Sequence, residues 1–489
     1  MKETKKNTKL FWIVLITFFI VCLIPFSFKE REGFKLKKTT ISYLSYNDLV
    51  NLTKPLNLNS SLYFKLQKQL NTPYIVNQIF SSPALPRSLR LAQWNIERGF
   101  NISAIKNILG NKYGYYYSYK KNLNADLQFQ KELEDISRSD IISLNEVDVG
   151  MPRTGYKNIA AEIAMVLNYN YVFGAEFIEL NPIIYKQKIN PSNYLGLHGN
   201  AIISKYPIKS ARILGLPECY SWFEGEIQTK SPLENVRRLG AKEIFKEHII
   251  KSEVRRGGRN ALIADIELPN KEIITVVSTH LEDRCFPDKR FKQFSYLLSS
   301  LKSLRNPVVL TGDFNTTTTD SAPTSFKKEF VKRARDPNFI ARQVAISATP
   351  GIPIVNNVVA FGLSKLVQYK DPTVPSIPIF LPNQERKFFT YLKDFRFADG
   401  GRFDLSGNRS SNGKHGLLAN SNERAFKGFE STFKFEEPRV IAYFKLDWFF
   451  VKPKGNRFTP FNGQTLQLIN HAYPGRVSDH EPIVVDLSL

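Results

Sequence analysis

From Leu89 onward the chain carries short apolar runs separated by polar and amphipathic stretches. The runs are Leu89–Asn95, Ile141–Leu144, Asn200–Ser204, Ala261–Ile266, Ile273–Ser278, Val308–Leu310, Leu446–Val451 and Ile483–Leu487. Short runs of this kind read as strands buried in a sheet. Between them, Lys157–Leu167 and Arg290–Leu304 have apolar residues at helical spacing. Strands and helices mixed in this way predict a layered α/β domain over residues 89–489. Residues 316–445 break the pattern. They are rich in Pro, Gly, Asn and Ser and read as a long insertion between two core strands.

The N-terminus has a different pattern. Lys2, Lys5, Lys6 and Lys9 form a basic tail over residues 1–9, followed by an apolar run over residues 10–28. As a helix its 19 residues span roughly 28 Å, close to the ~30 Å hydrocarbon core of a bilayer. No small-x-small cleavage site follows, so an uncleaved signal anchor is the first reading and a cleaved signal peptide the second. Lysines and arginines lie on both sides of the run, so the positive-inside count does not orient it. A very short N-terminal tail ordinarily stays in the cytoplasm. The expectation is therefore a membrane-anchored chain with its large domain outside the cytoplasm. Residues 29–88 are polar and basic and read as a stalk, or as a layer laid on the domain.

Composition supports a packed, basic protein. Of 489 residues, 42% are hydrophobic and 13% aromatic, which excludes a largely disordered chain. The formal net charge is +23. Residues 1–88 hold 13 Lys/Arg and 4 Asp/Glu, and the remainder 55 and 41, so the excess is not confined to a tail. Such a surface attracts polyanions, either nucleic acid or anionic lipid headgroups. Three cysteines, one of them in the apolar run, exclude a disulfide framework and a Cys-rich zinc site. They leave a Cys219–Cys285 bridge open, because spacing alone does not establish it.

Chemically capable residues recur where apolar runs end. These sites are Trp94-Asn95-Ile96-Glu97, Asn145-Glu146-Val147-Asp148, Ser278-Thr279-His280-Leu281 and Thr311-Gly312-Asp313-Phe314-Asn315. Asp447 lies in a later strand, and Ser478-Asp479-His480 precedes the last one. Carboxylates and amides suit a hard cation such as Mg²⁺, with Mn²⁺ as the alternative. Imidazole–carboxylate pairs suit activation of water and contact with phosphate. No Ser nucleophile elbow and no Gly-rich phosphate loop is present.

Taken in order, these motifs resemble the endonuclease/exonuclease/phosphatase superfamily, the deoxyribonuclease I-like enzymes. Gln93-Trp94-Asn95-Ile96-Glu97, Leu144-Asn145-Glu146, Gly199-Asn200-Ala201-Ile202-Ile203-Ser204, Ser278-Thr279-His280-Leu281, Gly312-Asp313-Phe314-Asn315, Lys445-Leu446-Asp447-Trp448 and Ser478-Asp479-His480-Glu481-Pro482 carry the likeness. The resemblance implies two packed mixed β-sheets flanked by helices, a four-layer sandwich, and a metal-dependent hydrolase of phosphoric esters. It implies Asn95, Glu146 and Asp479 around the metal, with Glu146 as principal ligand. Asp313 would activate water, Asn315 would bind a phosphate oxygen, and His280 would contact phosphate or the leaving oxygen. His480 would bind phosphate or share the base role, its ring fixed by Asp447. Trp448 stands where many relatives carry Tyr.

Other residues are less specific. Asp148 is either a supporting carboxylate or a loop charge, and His198 is read as structural or substrate-side. Arg255, Arg256 and Arg259 precede a strand and offer guanidinium groups to a phosphate-rich substrate, the competing reading being a solvated turn. The basic stretch Lys327–Arg342 reads as a charged surface helix. Phe388, Phe389, Tyr391, Phe395 and Phe397 are either core or membrane-facing. Three functions remain open: a nucleic-acid phosphodiesterase, slightly favoured by charge, a phospholipid or headgroup phosphodiesterase or phosphatase, and an inactive binding module.

Overall fold

The apolar runs pair into two mixed β-sheets. The computed structural model describes residues 43–77, 84–122, 126–227, 253–285, 287–316, 385–405, 429, 432–436 and 440–489. Its strands are β1 (Tyr74–Val76), β2 (Ser88–Arg98), β3 (Ile141–Val149), β4 (Asn170–Glu179), β5 (Leu197–Ser204), β6 (Ile208–Gly215), β7 (Arg255–Gly257), β8 (Asn260–Glu267), β9 (Ile273–His280), β10 (Val308–Asp313), β11 (Phe433–Glu436), β12 (Val440–Phe444), β13 (Asp447–Lys452), β14 (Pro460–Thr465) and β15 (Ile483–Ser488). One sheet runs β1-β4-β5-β3-β2-β15-β14, with β7 added beside β4. The other runs β13-β10-β9-β8-β6. Within them β2–β3 and β9–β10 are parallel and the remaining pairs antiparallel.

Three cores separate the layers. Leu91, Ile202, Leu262, Val276, Val309 and Val485 pack between the sheets. Alternate residues of the first sheet, among them Trp94, Leu144 and Ala201, face helices Ile102–Gly110, Asp126–Ser137 and Ile159–Leu167. On the far side Val277, Leu310 and Phe450 face helices Pro287–Leu301 and Glu385–Asp394. Central strands thus have both faces covered, which is why they read as continuous apolar runs. Phe388, Phe389, Phe395 and Phe397 belong to this last core and are buried, so these four do not face a membrane.

The described part of the 29–88 stretch is not a stalk. Ser45 caps helix Tyr46–Leu52 through a capping box with Asp48. Leu49, Leu52, Leu66 and Leu70 are buried, and β1 pairs with β4 as an edge strand. A few leucines at helical spacing anchor an otherwise polar layer, so average polarity misleads there. Among the described residues no helix is long and apolar enough to cross a membrane. The run at 10–28 lies outside them, as do the stretch Lys327–Arg342 and most of the 316–445 insertion.

Candidate active site

Strand register brings the motif residues together. Asp313, the last residue of β10, lies opposite His280 on β9 and opposite Asp447 on β13. His280 and Asp313 therefore end their strands, and Asp447 begins one. Gly312 makes this close alignment feasible. Its φ is +143°, and a Cβ there would lie 1.8 Å from the Thr279 carbonyl oxygen. From the first sheet, Asn95 and Glu146 arrive at irregularities in the β2–β3 register, and Glu146 and Glu97 have φ of 55° and 46°. Breaks of this kind re-aim side chains at a strand end.

Asp313 is the centre. One of its oxygens lies 3.5 Å from His280 Nε2, 3.6 Å from His480 Nε2 and 3.1 Å from the donating Asn95 Nδ2. The other accepts from the Asn315 backbone N–H at 2.9 Å. His480 Nδ1 is 2.7 Å from Asp447 Oδ2. Burial pushes the Asp313 carboxyl up to about 7, Asp447 adding to it and His480 opposing it. Burial pulls His480 down, but the Asp447 and Asp313 charges outweigh it and hold the imidazole well above its ordinary value. His280 is the opposite case. Burial, then Arg259, His198 and His480, hold it well below the ordinary value and so neutral. Asn315 Nδ2 donates to His280 Nε2 at 3.1 Å and to the Leu281 carbonyl at 2.9 Å. The site thus sets a carboxylate poised near neutrality between a cationic and a neutral imidazole, which suits proton transfer at ordinary pH.

Beside it lies a second carboxylate group. Glu97 is pushed up to about 8 by burial first, then by the charges of Asp479 and Glu146, with Arg476 opposing. Asp479 is likewise raised, by burial and by Glu146. Glu146 accepts from Asn95 Nδ2 at 3.3 Å. Mutual repulsion among half-buried carboxylates with oxygen donors only fits a hard divalent cation. Asp313, Asp447 and His480 are more tightly grouped, with ligand atoms within 4.8 Å of one another. There the protonated His480 already supplies the positive charge, so that trio suits proton handling, and Glu146, Asp479, Glu97 and Asn95 are the residues that could hold a cation. Glu97 carries no assigned role in the sequence motif. Its signal was its place two residues after Asn95, and only the fold shows whose charges surround it.

A stability consequence follows from these signs. Carboxyls whose folded pKa is raised favour the protonated folded state. That contribution is full below about 4.5 and is lost as pH rises through about 8. Mg²⁺ should therefore raise the melting temperature by about 5 °C at pH 8, assuming it is near a hundredfold above its dissociation constant, and less at pH 6. Glu97→Gln should shrink the difference between the two pH values. Equal shifts at both pH values, or none, would remove this set as the cation site.

Buried amides fix these groups in place. Asn145 Oδ1 accepts from the Asp313 backbone N–H at 2.9 Å and from Gln93 Nε2 at 2.6 Å. Its Nδ2 donates to Asn200 Oδ1 at 2.7 Å and to the Thr279 carbonyl at 3.2 Å. One fully used amide thereby ties the two sheets together under the site. Ser478 Oγ donates to the Asn95 carbonyl at 2.6 Å, and Trp94 Nε1 to that of His480 at 2.9 Å. Sequence reading assigned no role to Gln93, Asn145 or Asn200, since an amide's partners across two sheets leave no local pattern.

The three arginines proposed for substrate are already engaged. Arg255 and Arg259 are buried; Arg255 pairs with Glu253, and Arg259 with Glu176 at 3.1 Å and Glu282 at 3.6 Å. Arg256 stacks on Phe223, 3.1 Å from its centroid, and donates to the Leu52 and Lys54 carbonyls. Their location is therefore neither a solvated turn nor an exposed phosphate clamp. Asp148 accepts both arms of Arg153, at 2.6 and 2.9 Å, and holds His198 Nδ1 at 2.9 Å. Of the unassigned histidines, His471 lies 2.8 Å from Glu481 and is part-exposed, while His248 and His415 lie outside the described residues.

Residues 92–480 match the family model described as Endonuclease/Exonuclease/phosphatase family. The chain belongs to that family. Its members hydrolyse phosphoric esters, and this chain is a hydrolase of that class. No curated protein matches the sequence. Solved structures with similar architecture include an endonuclease/exonuclease/phosphatase from Beutenbergia cavernae, 16% identical over 83% of this chain and 72% of that one, with a TM-score of 0.36. A 3′–5′ exonuclease from Neisseria meningitidis is 14% identical over 82% and 100%, with a TM-score of 0.39. An AP endonuclease from Archaeoglobus fulgidus is 14% identical over 81% and 98%, with a TM-score of 0.37.

Proposed function

We propose that this family member is a divalent-cation-dependent phosphodiesterase of nucleic acid. The observation that carries the chemistry is Asp313, raised to about 7 and held between His280 and His480 next to an oxygen-only carboxylate set. Asp313 takes a proton from water as that water attacks phosphorus. The cationic His480 stabilises the non-bridging oxygens as charge develops, and the Asn315 amide, donating to His280 and to the Leu281 carbonyl, positions that imidazole. Glu146, Asp479, Glu97 and Asn95 would hold the cation, which would supply Lewis-acid stabilisation of the same charge. Asp447 keeps the His480 ring oriented and protonated, and neutral His280 stands beside the leaving oxygen.

The net charge of +23 supports a polyanionic substrate. The apolar run at 10–28 supports a second reading, a phospholipid substrate, because an anchor would hold the site near the bilayer and the domain outside the cytoplasm. Full-length protein in detergent with Mg²⁺, tested on supercoiled DNA and on anionic phospholipid vesicles, separates the two. Nicking that a chelator abolishes is expected. Headgroup release without nicking would replace nucleic acid with lipid, and nicking undiminished in excess chelator would overturn the cation-dependent reading.

A further inference from the structure

The two cysteines outside the N-terminal apolar run meet in space. Cys219 follows β6, and Cys285 lies five residues beyond the site residue His280. They are 66 residues apart in sequence, yet their Sγ atoms are 2.7 Å apart, less than an ångström from the ~2.05 Å of a sulfur–sulfur bond. In a chain of 489 residues with three cysteines, such a meeting is not expected from random placement.

The surrounding contacts hold the pair face to face. Trp222 Nε1 donates to Glu282 Oε2 at 2.8 Å, and Arg284 pairs with Glu226 at 2.5 Å while stacking on Trp222. Gln293 accepts from the Glu282 N–H and donates to the Pro217 carbonyl. Arg290 donates to the Glu282 and Cys285 carbonyls. Both thiols are half-buried, so a small oxidant reaches them.

We propose that Cys219 and Cys285 are a modification site, forming a disulfide that fastens the loop after β6 to the segment leaving β9 at the rim of the active site. The segment matters because Leu281, next to His280, accepts the Asn315 amide through its carbonyl. The oxidant is a low-molecular-weight disulfide. Cys285 is the attacking thiolate: the Cys219 S–H donates to it, which lowers its pKa, and Arg290 lowers it further. Its thiolate forms a bond to one sulfur of the oxidant and expels the first thiolate. The Cys219 thiolate then attacks the Cys285 sulfur and expels the second. Two protein thiols and one disulfide become one protein disulfide and two small thiols.

This proposal does not rest on the identity of the substrate. The test is a non-reducing peptide map of the full-length chain after exposure to glutathione disulfide, with free thiols alkylated first. Linked peptides carrying Cys219 and Cys285, two hydrogens lighter than the separate pair, are expected. The folded oxidised protein should also lose about 5 °C of melting temperature on reduction, and Cys219→Ser should show no such loss. Alkylation of both cysteines in the folded, glutathione-disulfide-treated chain would overturn the proposal, and so would a link from either to Cys22. The peptide map uses the unmutated protein, so a Ser variant that fails to fold does not blunt the test.

Discussion

Asp313→Asn is expected to lower turnover at least about a hundredfold while the protein stays folded. Asparagine keeps the side-chain volume and the acceptor for the Asn315 backbone N–H, so the turn after β10 survives. Its amide nitrogen meets the Asn95 Nδ2 donor, a local cost. Against that, the substitution removes a buried carboxyl whose pKa is raised to about 7, and so one that opposes folding when ionised. These terms oppose each other, so the melting temperature should move by only a few degrees. The pH profile gives the sharper reading. A base must be ionised to accept a proton, so wild-type kcat/KM should fall on the acid side with an apparent pKa near 7, and the residual activity of the variant should lack that limb. Near-normal turnover in Asp313→Asn would show that the base lies elsewhere.

The second large effect is on stability. Arg153 binds Asp148 through two nitrogens and Glu179 through a third at 2.7 Å, and Asp148 is fully buried. Burial opposes ionisation of Asp148, but Arg153 and His198 hold its pKa down to about 2. Its stabilising contribution is therefore complete above the ordinary carboxyl value and is lost only as pH falls through about 2. Arg153→Met removes the main opposing charge and leaves two buried carboxylates under-compensated. The expected loss is about 3–5 kcal/mol by urea unfolding at pH 7. The sign of the pH dependence should also change. Without Arg153, burial raises Asp148, so the variant should lose more stability at pH 8 than at pH 5. A loss under about 1 kcal/mol, independent of pH, would mean that water or a neighbouring cation already compensates the pair.

The arginines show how tertiary pairing engages residues that a local motif leaves open. Arg255, Arg256 and Arg259 stand in a Gly-rich stretch that looks like an exposed phosphate clamp. Glu179 beside Arg255, and Glu176 and Glu282 beside Arg259, come from separate segments of the chain, as does Phe223 under Arg256. Nothing local in sequence marks a charge as paired. The polar stretch before Leu89 left stalk and layer both open, because Leu49, Leu52, Leu66 and Leu70 are few but well spaced.

The α/β class, the strands carrying the motifs and Asn95, Glu146, His280, Asp313, Asn315, Asp447, Asp479 and His480 as a chemical set were legible from sequence. Continuous apolar runs report burial on both faces, and the chemistry lies at or beside strand ends, where short motifs preserve it. Tertiary structure alone decided how the set divides. Parallel and antiparallel register places His280 and Asp447 opposite Asp313, and the burial of that carboxyl and its charged neighbours sets its proton affinity. It also set Glu97 among the charges of Asp479 and Glu146, made Asn145 the tie between sheets and brought Cys219 to Cys285. Each of these depends on distances between residues far apart in the chain, and proton affinity, pairing and cross-linking all follow from such distances.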